Sequence, residues 1–210
     1  MSSLNAAKTD IRVENERLIL RSAEQVFAQH GFRGSTIQMI ADGAGLPKAN
    51  IHYYFESKER LYRRVVECIF EIWSGAAASF EQSEDAAEAL QFYIKQKMQI
   101  SRLHGNGSKV WANEVMQGAP IINDFLQTVL QDWTDGRIKT IQSWIDQGRI
   151  KPINPRWLLY MIWATTQHYA DFAHQIKTLN QEEVLSLNQW HEGTETVFKI
   201  ILGKIVPDSV

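Results

Sequence analysis

The chain has 210 residues, 44% of them hydrophobic and 22% charged, with only 12 glycines and 5 prolines, which excludes a disordered or fibrous protein. A net charge of −2 argues against a protein that coats nucleic acid, and the single cysteine, Cys68, excludes an intrachain disulfide. No apolar run is long enough to span a membrane and the N-terminus lacks a hydrophobic signal core, so we expect a cytoplasmic protein without a membrane partner.

The charge is distributed unevenly along the chain. Ten Lys or Arg residues lie at or before Arg64, against seven Asp or Glu residues, so this part carries +3 and the remainder −5. A positive N-terminal part favours contact with phosphate, and an acidic remainder keeps the other end of the molecule away from it. The distribution therefore places any nucleic-acid contact near the N-terminus.

The first element is a helix from about Asp10 to His30. Ile19, Ala23 and Phe27 fall on one of its faces, and the helix is expected to end around Gly31. The residues before Asp10 are polar, so we expect them to be frayed.

The following stretch, residues 35–61, has the pattern of a helix-turn-helix. A helix is expected to begin at Ser35, because Gln38 follows it at the spacing of a capping box. Gly45 then ends this helix, and Pro47 suits the first turn of a short second helix. Such a pair can place the N-terminal end of its second helix in a major groove of DNA.

Exposed polar side chains of this motif are the candidates for DNA contact. Lys48 lies where the second helix would enter the groove, and Lys58 opens the next helix beside the phosphate backbone. The alternative for a bare motif is an ordinary helical hairpin with a Tyr-Tyr-Phe core. The predicted DNA-binding residues are Ser35, Thr36, Pro47, Lys48, Ala49, Asn50, His52, Tyr53, Tyr54 and Lys58.

The runs T-x-x-x-I-A-x-x-A-G-L and Y-Y-F-x-S-K-E-x-L follow one another in the motif without gaps. Together they resemble the DNA-binding domain of the tetracycline-repressor (TetR) family. The resemblance implies an all-α fold of nine helices. Residues 10–56 would form the helix-turn-helix DNA-binding domain, and residues 57–205 would form a helical domain for ligand binding and dimerisation.

The pattern after the motif is helical throughout. Ser57 is a good N-cap for a long fourth helix that links the two domains. The fifth helix is expected to end near His104, the sixth to begin at Ser108, and the seventh to include Pro120 near its start. The eighth helix begins at Pro155, and a ninth follows it.

The last two helices carry more apolar surface than one subunit can easily cover. The ninth helix has a stripe that includes Val184, Leu187, Val197, Ile201 and Ile205. Such a stripe indicates a homodimer with two helices from each subunit across a two-fold axis. The family resemblance implies the same arrangement.

The eighth helix also presents polar groups on one face. Trp163, Gln167 and Asp171 follow at helical spacing, and an amide beside an aromatic ring suits a planar, amide-bearing ligand. The alternative is that Gln167 and His168 satisfy each other or backbone groups in a dimer core. The run M-I-W-A-T-T-Q-H-Y-A-D-F resembles the pyrimidine-utilisation repressors of the family, which implies that Trp73, Trp163 and Gln167 hold a pyrimidine such as uracil. The chain departs from that pattern at residues 103–108 and 111–117, which leaves the ligand open.

Catalysis and metal binding have weaker support. His168 and Asp171 lie one turn apart, but there is no nucleophile elbow, phosphate-binding glycine loop or zinc-type His pair. A metal clamp of His168, Asp171 and His174 lacks an evident further ligand. We therefore expect no enzyme, no cofactor and no metal.

The whole pattern predicts a dimeric repressor that binds a palindromic operator in double-stranded DNA and is released by a small effector. The fourth helix would carry the change between the two domains. The alternative is a dimeric DNA-binding protein that needs no effector and whose second domain is purely structural. A second domain without a ligand-sized cavity would favour that alternative.

Overall fold

The structure is a computed structural model that describes residues 2–205, with side chains from Ile11 onward. These residues form helices and connecting turns and contain no β-strand, which confirms the all-α prediction. In chain order the elements are α1 (Ser2–Gly34), α2 (Ile37–Ala44), α3 (Lys48–Phe55), α4 (Lys58–Ala76), α5 (Ser79–Gln82), α6 (Ala86–Leu103), α7 (Gly105–Met116), α8 (Asn123–Phe125), a π-helical segment (Leu126–Leu130), α9 (Gln131–Asp146), α10 (Pro155–Asp171), α11 (Ala173–Leu179) and α12 (Leu187–Ile205).

Each of the nine predicted helices has a counterpart, with differences at their ends. The first helix begins at Ser2 and not near Asp10, and Gly31, with a φ of 66°, interrupts it close to the predicted end. The short helix α5 was not predicted. The seventh predicted helix contains the π-helical segment, and the eighth is divided at Phe172 into α10 and α11.

The start of α2 corrects one prediction. Thr36, and not Ser35, is the N-cap, because its hydroxyl accepts the N–H of Met39 at 3.2 Å. Gln38 does not complete a capping box, since its amide donates to Asp42 at 2.8 Å. The predicted cap of the fourth helix is confirmed: the Ser57 hydroxyl accepts the N–H of Arg60.

The start of α7 lies three residues earlier than predicted, because a contact from α1 stabilises it. A carboxylate oxygen of Glu24 accepts the N–H of Gly107 at 3.0 Å. A Cβ at Gly107 would lie 3.2 Å from the side chain of Ile69, so a glycine is needed where α7 crosses α4. The apparent glycine-rich turn is therefore the first turn of a helix that is packed tightly against two others.

Pro120 lies in a turn before α8 and not inside a helix. Buried Glu114 determines this turn, because one of its carboxylate oxygens accepts the N–H groups of both Ile121 and Ile122. Ala119, with a φ of 55°, precedes the proline. The side chain of Glu114 thus satisfies backbone donors that a helix would otherwise have used.

The core consists of two clusters of buried side chains. The first lies among α1 to α4 and includes Phe27, Ile40 and Leu61, together with Val110 of α7 and Phe125 of α8. The second fills the remainder of the chain. Helices α1 and α4 pack directly on α7, so a movement of α7 would be transmitted to the N-terminal helices.

The apolar stripe of the last helix does not have the predicted environment. Ile201 is only 5% exposed and belongs, with Val197 and Ile205, to the core of its own subunit, where α12 packs on α6. The exposed apolar side chains lie on other faces: Met161 is 54% exposed on α10 and Ile200 is 64% exposed on α12. Residues 2–205 include no helix that is both long and apolar enough to cross a membrane.

Candidate functional site

The helix-turn-helix is held by local hydrogen bonds and by one close helix contact. Gly45, with a φ of 65°, ends α2, and the next N–H, that of Leu46, bonds to the carbonyl of Ala41. A Cβ at Gly43 would lie 2.5 Å from the Ser22 hydroxyl, so this glycine allows α2 to approach α1. These two glycines therefore hold α2 against α1 and set the turn from which α3 begins.

The outer face of this unit consists mainly of the predicted DNA-binding residues. The first turn of α3 is open, because Pro47 provides no side-chain cap and Lys48 is exposed. Asn50 is partly buried, and the Tyr54 hydroxyl accepts a hydrogen bond from Asn15 at 3.3 Å. The remaining exposed members of the set are Thr36, Ala49, His52 and Tyr53.

Two residues predicted to contact DNA, Ser35 and Lys58, bond instead to the end of α1. Ser35 is 2% exposed, and its hydroxyl donates to the carbonyls of Gly31 and Val26 at the end of α1. The ammonium of Lys58 donates to the carbonyls of Phe32 and Ser35, at 2.8 and 2.9 Å. Unpaired carbonyls at the C-terminal end of a helix accept hydrogen bonds and stabilise a nearby cation. Ser35 and Lys58 therefore both satisfy carbonyls at the end of α1.

A cavity of about 230 Å³ lies in the second part of the chain, between α4, α6, α7, α9, α10 and the π-helical segment. Three of the four predicted ligand-binding residues line it. Its walls are almost entirely aromatic and aliphatic, with a few polar groups among them. The lining residues are Phe70, Trp73, Ser74, Tyr93, Lys97, Trp111, Val115, Leu126, Leu130, Trp133, Trp163 and Gln167.

Four tryptophans make flat walls for this cavity. The rings of Trp73 and Trp111 meet edge to face, with centroids 5.3 Å apart, and those of Trp133 and Trp163 lie 6.2 Å apart. The indole N–H of Trp163 donates to the hydroxyl of Tyr93 at 2.9 Å, which fixes the Trp163 ring. Rigid aromatic walls of this kind suit the faces of a planar ligand.

Two hydrogen-bond donors, those of Trp73 and Lys97, belong to buried residues of the cavity wall. The indole N–H of Trp73 is buried and has no partner within residues 11–205. The ammonium of Lys97 lies 4.2 Å from the centroid of the Trp73 ring, and its side chain is only 2% exposed. Burial lowers the pKa of Lys97 to about 7, although the Asp171 carboxylate partly opposes this effect. A buried donor without a partner is uncommon in native proteins, so the indole N–H of Trp73 is available to a bound molecule.

Asp171, the fourth predicted ligand-binding residue, does not line the cavity. Its carboxylate accepts the hydroxyl of Ser108 on α7, and burial raises its pKa. The ring of His168 stacks on Phe172, with centroids 4.9 Å apart. Within the described part of the chain no three His, Cys, Asp or Glu side chains converge in a way that could hold a metal ion.

Sequence reasoning missed several residues of the cavity, and Lys97 is the most important of them. Tyr93 and Lys97 fall on the inward face of the fifth predicted helix, among apolar residues. A lysine in an apolar stripe is the signal that could have identified it, because buried lysines are rare unless paired. Trp111 and Trp133 gave no comparable signal, since aromatic residues at helical spacing are normally core.

Comparison with protein families gives two adjoining matches. Residues 19–65 match the family described as "Bacterial regulatory proteins, tetR family". Residues 66–208 match the family described as "YcdC-like protein, C-terminal region". The two matches meet inside α4, the helix that extends from the helix-turn-helix to the cavity.

Individual proteins give the same result. The chain is 35% identical over 192 residues to the HTH-type transcriptional regulator RutR of Escherichia coli K12, covering 91% of each. The solved structure of AibR with isovaleryl coenzyme A and operator DNA is similar with a TM-score of 0.71, at 15% identity over 89% of this chain and 97% of that one. The structure of FadR from Bacillus subtilis with stearoyl-CoA has a TM-score of 0.66, at 19% identity over 88% and 96%.

Proposed function

Because this chain belongs to the TetR family of helix-turn-helix transcriptional regulators, we propose that it is a repressor that binds a palindromic operator as a homodimer and is released by a pyrimidine-like effector. The observation that carries the proposal is the aromatic cavity lined by Trp73, Trp163 and Gln167, at the far end of the helix that leaves the DNA-binding unit. Since bacterial chromosomal DNA lies in the cytoplasm, this function also places the protein there.

The DNA-binding face follows from α3. Lys48 begins this helix, and His52 lies one turn later on the same exposed side. A helix N-terminus with open N–H groups attracts phosphate, and Lys48 beside it can reach a base edge in the major groove. Thr36 and Tyr53 extend this face on either side and suit contacts with the phosphate backbone. AibR, whose fold is similar, has been solved with operator DNA.

The dimer would form through α10 and α12, on faces other than the predicted one. Trp157, Met161, His168 and Phe172 are exposed along one side of α10 at helical spacing, and Ile200 is exposed on α12. Exposed apolar side chains on two adjacent long helices are typical of a bundle completed by a second subunit. Two subunits would present two α3 helices to successive major grooves, which requires a palindromic operator.

The effector proposal rests on the cavity walls. Paired indole rings accept the faces of a flat ring, and the Gln167 amide offers one donor and one acceptor to a pyrimidine edge. The resemblance of the eighth-helix sequence to pyrimidine-utilisation repressors is what favours a pyrimidine here. AibR and FadR have been solved with coenzyme A thioesters, so related folds accept other ligands. Uracil is the first compound to test.

Two paths connect the cavity to the DNA-binding unit. Helix α4 begins at the Ser57 cap beside α3 and carries Trp73 into the cavity wall. Helix α7 carries Trp111 into the same wall, while its first turn bonds to Glu24 of α1. A ligand that prefers one position of α4 and α7 would thus favour one spacing of the two α3 helices in the dimer.

The second candidate function is a dimeric DNA-binding protein without an effector. It predicts a second domain filled by its own side chains. The unpartnered indole N–H of Trp73 beside a cavity of about 230 Å³ favours a ligand-responsive protein instead.

The Gln167→Leu variant tests the proposed effector site. Leucine keeps most of the side-chain volume but removes the amide, so the edge of a bound pyrimidine is left unpaired at a cost of about 1–3 kcal/mol. Uracil should quench the tryptophan fluorescence of the wild type saturably and release it from operator DNA. Gln167→Leu should lose both responses and still bind the operator. A variant that responds normally would contradict the assignment of the site.

A further inference from the structure

The polar groups of the cavity are mainly donors. The indole N–H of Trp73 has no acceptor within residues 11–205, and the Lys97 ammonium lies over the face of the Trp73 ring. The Tyr93 hydroxyl already accepts from Trp163, so its own proton is also available to a ligand. The side-chain acceptors are confined to the Gln167 amide oxygen and the Ser74 hydroxyl. A ligand that satisfies this wall must therefore bring acceptors.

Lys97 dominates the electrostatics of this wall. It is among the largest fully buried side chains of the protein, and its Nζ lies over the face of Trp73. Contact with an aromatic face stabilises a cation only in part, and the cost of removing an ammonium from water remains large. Burial is accordingly the main cause of the lowered Lys97 pKa.

The surrounding charged groups do not neutralise Lys97. From α10, Asp171 is the carboxylate that acts on it, but this carboxylate is hydrogen-bonded to Ser108 of α7 and forms no ion pair with Lys97 within residues 11–205. His168 and Lys109 act on Asp171 and not on Lys97. On α9, Arg137 acts on the Tyr93 hydroxyl of α6 and is itself a cation. From α4 and α7, Lys97 faces the uncharged rings of Trp73 and Trp111.

We propose that the effector of this protein is a planar ring that carries a carboxylate, and that the carboxylate pairs with Lys97 while the ring lies between the tryptophan walls. The inference rests on the proposed effector site and narrows its ligand class. An anion next to Lys97 supplies the missing counter-charge in a dry environment, where a charge-assisted hydrogen bond is stronger than in water. The indole N–H of Trp73 would donate to the same carboxylate.

The pairing predicts a proton linkage with a definite sign. The free protein holds Lys97 partly neutral near pH 7, because its pKa is lowered to about 7. A bound carboxylate favours the ammonium and raises this pKa, so binding above pH 7 must take up a proton from the buffer. The affinity for the carboxylate should therefore fall by about tenfold for each pH unit above the free-state pKa. The affinity for a neutral ring should not depend on pH in this way.

The experiment compares uracil with orotate, which is uracil bearing one ring carboxylate. Calorimetric titration of the full-length dimer is done in two buffers of different ionisation enthalpy, at about pH 6.5 and about pH 8. We expect orotate to bind more tightly than uracil at the lower pH and to take up close to one proton at the higher pH. Uracil should bind without proton uptake.

Lys97→Met is the matched variant, since methionine has a similar shape and no charge. It should bind orotate about a hundredfold more weakly, lose the preference for orotate over uracil, and show no proton uptake. A raised melting temperature would show that it folds, because an apolar group replaces a buried unpaired charge. Lys109→Met, outside the cavity, should leave both affinities unchanged.

The outcomes separate this inference from the proposed function. A wild type that binds uracil and rejects orotate would overturn the acidic effector and leave the pyrimidine site in place. Equal affinity of Lys97→Met and the wild type for orotate would overturn it as well. A wild type that binds neither compound would contradict both the proposed effector site and this inference.

Discussion

Met161→Glu should convert the dimer into monomers and lower operator affinity by about two orders of magnitude or more, because a monomer contacts only one half-site. Met161 is 54% exposed in the middle of the apolar side of α10, between Trp157 and His168. A carboxylate there would be buried against the partner without a counter-charge, which is strongly unfavourable. Sedimentation velocity at micromolar concentration and anisotropy of a labelled operator would measure the two effects.

Three further variants make this result specific. Ile200→Glu, at the exposed position of α12, should have the same effect as Met161→Glu. Val129→Glu, at a position 46% exposed on the π-helical segment, should remain dimeric and bind DNA normally. Ile201→Glu should unfold the subunit, since Ile201 is buried in its core. A Met161→Glu protein that remains dimeric with unchanged operator affinity would show that another surface forms the dimer.

Lys48→Ala should lower the affinity for the operator by about ten- to a hundredfold at fixed salt, and it should leave thermal stability unchanged. Lys48 is exposed at the first position of α3, where the helix enters the groove. Anisotropy titrations with the operator and with a scrambled duplex would separate a base contact from a phosphate contact, because a phosphate contact weakens both equally.

Lys58→Met is the matched control for this result. Lys58 donates two charge-assisted hydrogen bonds to carbonyls at the end of α1, so its loss should cost about 1.5–3 kcal/mol of stability. Lys58→Met should weaken binding to the operator and to the scrambled duplex equally, and only to the extent that its melting temperature falls. Unchanged operator affinity of Lys48→Ala would mean that α3 is not the recognition helix.

The helix-turn-helix could be predicted because its signals are local. Gly45 takes a left-handed conformation and Ser57 caps α4, and each of these needs only its chain neighbours. Ser35 and Lys58 were placed on the outside because both are polar. In the structure they bond to carbonyls at the end of α1, and which carbonyls remain unpaired depends on packing that the sequence does not display.

The apolar stripe of the last helix shows a second limit of prediction from sequence. Helical spacing predicted that Ile201 and Ile205 share one face of the last helix, and they do. Spacing does not reveal whether that face meets α6 of the same subunit or a partner, and it meets α6. Exposed Ile200, the neighbour of Ile201, was overlooked because it falls outside the stripe.

The cavity was predicted in part. Trp73, Trp163 and Gln167 were identified through the resemblance to pyrimidine-utilisation repressors, and the structure brings them together. Asp171 was included because it follows Gln167 by one helical turn. Residues one turn apart do not point in quite the same direction, and the Asp171 carboxylate bonds to Ser108 instead of lining the cavity. Lys97 was overlooked, because a binding role for a polar residue on an inward helix face can be identified only when its neighbours in space are known.

A ligand in the aromatic cavity should control DNA binding. The most direct test is a gel-shift titration of the protein's own upstream region, with and without uracil or orotate, beside a scrambled duplex. We expect a specific complex that contains two subunits and that dissociates at ligand concentrations which also saturate the tryptophan quench. A specific complex that persists when the cavity is saturated would contradict it.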